Sequence, residues 1–389
     1  MAGGDSLVGQ AQITLFPSEH LFRSIPRRVG PAGAFVAGTV LYVVVPVVAA
    51  SFDGTLFIAR GLFSSENQYI YLLPALFATV AHYHRESAYL LDKLVARGVL
   101  TTAPNSTSHA STPADHAQHA QIARIVERVS ASPLSRIGAL IPFVIAILTP
   151  LMFLLNGADP AIRPGFVRAI VGDDRHAVGW LFAEDGIRPI AYYFSVVFHG
   201  VGMAVLAAWA FSHLRAARVL RQLFDEANGV RVNLRILHPD GCMGLGPVSE
   251  LVRHCAVVLV LISLVVFLWT TGFLLVGDGF RALADPGFLT AWGCYVTFAP
   301  LLFFAPLVSA RRQMWLLKER TLAALGQRIF ATPDLEETVK WAGQYAPVQD
   351  ARVWPFTVAT VSSFVASLGG PLVITAISEL VKGVVENVR

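Results

Sequence analysis

Residues 255–277 read CAVVLVLISLVVFLWTTGFLLVG, a run with no Asp, Glu, Lys or Arg. A helix crosses the hydrocarbon of a bilayer with about 20 apolar residues, and this stretch meets that length with nothing charged to bury. Four more runs repeat it: 34–52 (AFVAGTVLYVVVPVVAASF), 136–156 (RIGALIPFVIAILTPLMFLLN), 190–212 (IAYYFSVVFHGVGMAVLAAWAFS) and 289–309 (LTAWGCYVTFAPLLFFAPLVS). Charged residues make up only 14% of the 389 positions and hydrophobic ones 54%, whereas a soluble domain carries roughly a quarter charged residues. The missing solvent is lipid. Prolines 46, 142, 150, 300 and 306 fall inside these runs. In a membrane they predict kinks whose freed carbonyls neighbouring helices must satisfy.

Two further stretches leave the span count open. Residues 69–83 are apolar but short, and 354–381 are long enough but broken at Gly369-Gly370-Pro371. That break fits either a span or a re-entrant hairpin. The expected fold class is all-α: a polytopic transmembrane helical bundle of five spans, up to seven, with helical cytoplasmic extensions. It divides into an N-terminal cytoplasmic segment 1–33, a helical membrane domain 34–381 with cytoplasmic loops 85–135, 213–254 and 310–353, and a tail 382–389. If 69–83 spans, the inner segments hold 22 of the 30 Lys and Arg, as the positive-inside rule requires. The same bias accounts for the net charge of +4 without nucleic acid. The first apolar run lacks signal-peptide order and is expected to stay as an anchor. Cys242, Cys255 and Cys294 imply no disulfide framework.

Outside the spans, 86–99 and 118–131 read as helices, separated by the Ser/Thr/Ala-rich 101–116. Residues 213–227 and 311–330 are expected to carry the preceding spans into the cytoplasm. Pro333-Asp334 followed by Glu336-Glu337 marks a helix start. The most unusual loop is Leu237-His238-Pro239-Asp240-Gly241-Cys242-Met243-Gly244-Leu245-Gly246-Pro247. Its glycines allow positive φ, so the loop is able to turn several N–H groups toward an anion; the plain alternative is a rigid connector with Asp240 capping a turn. His238, Asp240, Gly241, Gly244 and Gly246 are the candidate ligand or partner residues. The Lys-Ser/Thr ending of a phosphate-binding loop is missing, and His238, Cys242, His254 and Cys255 depart from zinc spacing. No metal site or cofactor is expected.

This loop resembles a His-Pro-Asp-x-x-Gly-Gly-Leu-Gly pattern of uncharacterised bacterial multi-pass membrane proteins, with Met243 standing where the pattern has its first Gly. Ala305-Pro306-Leu307 followed by Arg311 and Arg312, and Pro355-Phe356, share that likeness. The resemblance covers roughly the C-terminal 40% of the chain and implies a bacterial cytoplasmic (inner) membrane, with no activity attached.

His199 is the imidazole inside the third confident span, an intramembrane polar candidate for a proton relay or a helix–helix hydrogen bond. No carboxylate or basic side chain lies well inside a confident span, which argues against coupled pumping and intramembrane catalysis. No catalytic residues are assigned, and the balance leans against an enzyme. Two readings of function follow. One is an oligomeric channel or pore lined by Ser363, Ser367, Gly369, Gly370 and Pro371, with homo-oligomers in the lipid bilayer. The other is a membrane-anchored scaffold or sensor, binding a small anion or a protein partner through its cytoplasmic loops.

Overall fold

The computed structural model describes residues 21–52, 72–101, 113–156, 190–228, 230–236, 238–276 and 286–356, and a few positions between 361 and 368. The chain folds as a helical membrane bundle. Helix α1 (Leu21–Thr39) passes through a π-helical turn at Val40–Val44 into α2 (Val45–Phe52). Then come α3 (Leu73–Ala88), α4 (Leu90–Ala96), α5 (Pro113–Ala131) and α6 (Pro133–Asn156). The last four are α7 (Ile190–Leu223), α8 (Gly246–Val276), α9 (Pro286–Ala331) and α10 (Leu335–Gln349). Four helices among the described residues are long and apolar enough to cross a membrane; α5 and α6, bent by 50° at their junction, make a fifth if counted as one span. These match the five runs read from sequence.

The expected single helix at 86–99 is divided. Helix α3 runs from the short apolar stretch through residue 88, the backbone breaks at Tyr89, and α4 ends before Gly98, whose φ is +65°. Leu100–Thr101 then pairs antiparallel with Arg231–Val232 in a minimal two-residue ribbon. Most of one face of α3 is buried, including Leu76, Val80 and Tyr83. Asp334 caps α10 by accepting the Glu336 N–H at 3.1 Å, as its position before Glu336-Glu337 predicts.

Prolines and glycines set how closely the spans approach. Pro150 cannot donate to the Ala146 carbonyl, and a Cβ placed on Gly200 of α7 would lie 2.8 Å from that oxygen and 2.7 Å from the Pro150 ring. Only a glycine lets α7 sit there against α6. A Cβ on Gly202 would meet the Tyr42 hydroxyl at 2.5 Å, and that hydroxyl donates to the Phe198 carbonyl. Gly202→Val therefore destabilises the detergent-solubilised protein by about 2 kcal/mol through overpacking, measured as a lowered unfolding midpoint; an unchanged midpoint contradicts the contact.

A fully buried polar link joins three helices. His213 of α7 is fully buried, with Nε2 2.8 Å from the Leu302 carbonyl of α9 and Nδ1 2.8 Å from the Tyr83 hydroxyl of α3. Leu302 lies four residues before Pro306, so its carbonyl has lost its helical donor. Nε2 must carry the proton to serve that oxygen, which leaves Nδ1 to accept from the Tyr83 hydroxyl. A proline in one span is answered by a histidine from another.

Candidate functional site

The loop 238–246 and the start of α8 rest on the end of α4. The loop's own N–H groups and a side chain of α4 converge on Asp240. Its Oδ1 accepts the N–H groups of Cys242 at 2.9 Å and Gly244 at 3.1 Å, while Oδ2 accepts that of Gly246 at 2.9 Å. Arg97 Nη1 donates to Oδ2 at 3.2 Å, and His238 Nδ1 lies 2.9 Å from Oδ1. Burial alone would raise the Asp240 carboxyl, but these backbone donors and His238 hold it below the ordinary carboxylate range. The N–H groups that a glycine-rich loop turns toward an anion are thus turned toward the loop's own carboxylate. A negative charge at the first turn of α8 also suits the positive end of the helix dipole.

Backbone geometry explains the composition of the loop. Gly241 has φ +62° and Gly244 φ +96°, the left-handed region that glycine enters without a Cβ clash. A side chain on Gly244 would in addition press on Val99. Met243 also sits at φ +56°. Its side chain is 1% exposed and packs in the core, so burial of the thioether chain offsets the backbone cost. This is the position where the resembling pattern carries glycine.

Beside the loop, Lys93 of α4 lies between two carboxylates, Glu86 of α3 at 3.0 Å and Glu250 of α8 at 3.1 Å. Its hydrogen bond to Lys93 holds the Glu86 carboxyl low. Burial opposes the Lys93 charge, yet Glu86 and Glu250 together raise its affinity for the proton. A shallow cleft lies between these groups, with Pro247 and His254 on its wall. The His82 and His254 rings meet edge to face, 4.6 Å between centroids. Among the described residues no group of three or more His, Cys, Asp or Glu is arranged to hold a metal ion. Burial pushes the Cys242 thiol up, and the Asp240 charge adds to it, so this is a poor nucleophile.

The C-terminal return packs on the same side. Lys318 of α9 donates to the carbonyls of Gln349 and Ala351, at 3.1 Å for the second, and fixes the end of α10. The Arg311 guanidinium lies 4.3 Å over the Trp354 ring, and Phe364 stacks on Phe303 at 4.2 Å. Ser363, Ser367, Gly369, Gly370 and Pro371 lie outside the described residues. His199 is half-buried in α7, its ring 6.3 Å from that of Tyr42 in an edge contact. The structure therefore joins His238, Asp240, Gly244 and Gly246 into one cluster and leaves His199 in a separate place. Sequence reading missed Arg97 as the partner of the loop and the Glu86–Lys93–Glu250 group beside it. It also passed over His213, whose signal was the carbonyl freed by Pro306. Compared with known proteins, the chain matches no family model, no curated protein and no solved structure.

Proposed function

We propose that this chain is a membrane-anchored scaffold or sensor of a bacterial inner membrane, binding a protein partner through its cytoplasmic face. One observation carries the reading. Helix α9 has 46 residues, about 69 Å at 1.5 Å per residue, roughly twice the ~30 Å hydrocarbon thickness. Its second half carries Arg311, Arg312, Lys318, Glu319, Arg320 and Arg328, so that half belongs in water. Together with α10 it forms a two-helix arm, closed by Arg328 over the Trp341 ring at 4.8 Å. At the turn of this arm Phe330 is 93% exposed, Leu335 77% and Val339 63%. A patch of large apolar side chains held in water marks an interaction surface. The channel reading rests on Ser363, Ser367, Gly369, Gly370 and Pro371, which lie outside the described residues.

The test is a photo-crosslinking amino acid at position 331 or 336, exposed beside the patch, in living cells. The expected result is one protein adduct of defined mass, lost in F330E/L335E/V339E while membrane insertion is retained. Adducts only to lipid, or an adduct unaffected by the triple variant, overturn the reading. Ion flux from the purified protein in liposomes, abolished by bulky substitutions at Gly369 and Gly370, would favour the channel instead.

A further inference from the structure

Arg215 of α7 is 5% exposed, and among the described residues its guanidinium meets no carboxylate. Among the described residues Nη2 donates to the Ser130 hydroxyl of α5, and the buried Nε finds no acceptor. A cation taken from water with no counter-charge among the described residues is strongly unfavourable, which suits the site to an anion.

Its surroundings say which anion. Arg215 follows the apolar run 190–212 by three residues, placing it where α7 leaves the membrane on the cytoplasmic side. One turn earlier along α7, Phe211 abuts α6: a Cβ on Gly138 would lie 2.9 Å from its ring. Arg215 therefore faces the 50° elbow between α5 and α6, next to the N-terminus of the 24-residue α6. That end of a helix favours negative charge. The Ser130 and Ser132 hydroxyls donate to helix carbonyls, and the Ser135 and Arg136 N–H groups to the Ser132 carbonyl, which leaves the guanidinium as the donor and the helix end as a dipole. Arg136 on the first turn of α6 and Arg218 on α7 are exposed at the rim. From this elbow the outer face of α6 runs apolar and uncovered, with Ile137 53%, Leu140 63%, Ile147 69% and Leu148 49% exposed. Residues 137–151 extend about 21 Å along the helix, longer than the ~15 Å of one leaflet. A phosphate at the elbow thus has an acyl-chain surface leading away from it.

We infer that Arg215, with the N-terminus of α6 and Arg136, forms a binding site for the phosphate of an anionic phospholipid whose acyl chain lies along α6. The reading is independent of the partner surface on α9 and α10.

Native mass spectrometry of delipidated protein, titrated with phosphatidylglycerol, phosphatidylcholine or inorganic phosphate, tests it. Phosphatidylglycerol is expected to bind roughly tenfold more tightly than phosphatidylcholine, whose phosphate is the same but whose choline cation is repelled by Arg215 and Arg136. R215Q abolishes that preference, R136Q reduces it, R215K retains part of it, and R218Q serves as the rim comparison with a smaller effect. If R215Q fails to fold, R136Q and R215K still decide the matter. Equal affinity for the two lipids, or a preference unchanged in both R215Q and R136Q, overturns the site. Inorganic phosphate displacing the lipid at equal concentration overturns the lipid as its source, and a partner carboxylate crosslinked to Arg215 in cells overturns the anion's identity.

Discussion

Replacing His213 with Leu lowers the stability of the solubilised protein by about 3 kcal/mol, and adding Pro306→Ala returns a substantial part of that loss. The first effect follows chiefly from the Leu302 carbonyl, left buried without its His213 donor at a cost of about 1–3 kcal/mol, and from loss of the bond to the Tyr83 hydroxyl. The second follows from the helix itself. Alanine at 306 has an N–H that can reach the Leu302 carbonyl, the bond that proline forbids. In the presence of His213 the same Pro306→Ala change has little to repair. The two substitutions are therefore non-additive, with a coupling of about 1 kcal/mol or more. The four proteins are compared by unfolding midpoint in one detergent. Strict additivity would mean that His213 acts through packing alone.

Asp240→Ala is expected to release the loop 238–246 and the first turn of α8 from α4, at a local cost of about 3 kcal/mol. Asp240→Asn does nearly as badly. Both carboxylate oxygens accept from N–H donors, so an amide NH2 in either place points donor at donor. Hydrogen exchange of residues 238–248 reads the result, with protection lost in both variants and kept in Lys93→Met. Proton linkage gives a second readout. The Asp240 carboxyl titrates below its unfolded value, so its contribution is fully present above the unfolded pKa of about 4 and is lost as pH falls through the folded one. Wild-type protection declines on acidification through that range, while Asp240→Asn is flat. A wild-type loop indifferent to acid would contradict the clasp.

The helical membrane fold was legible because charge depletion over 20 or more residues has no soluble counterpart, as 255–277 illustrates. The cap at Asp334 was legible for a local reason: both donor and acceptor lie within two residues. The break at Tyr89 was not, because nothing local forbids helix there; the division follows from docking α4 under the loop 238–246. Asp240 was visible as a turn former, but its partner Arg97 lies 143 positions away, and no periodicity spans that distance. His213 was hidden in another way. It sits just past the apolar run, where an imidazole looks solvated, and only Pro306 on a distant helix gives it a buried task. Met243 has a positive φ that its residue type gave no reason to expect, since only the folded loop puts a side chain in that left-handed conformation.

The proposed orientation of the bundle, with the loop 238–246 and the α9–α10 arm in the cytoplasm, underlies the proposed partner surface. It is tested most directly by L335C in a chain whose Cys242, Cys255 and Cys294 are replaced by alanine. Leu335 is 77% exposed at the turn of the arm, so a thiol there is open to reagent. A membrane-impermeant maleimide added to intact spheroplasts is expected to leave it unlabelled and to label it fully after permeabilisation. Labelling in intact spheroplasts would place the arm outside and contradict the orientation.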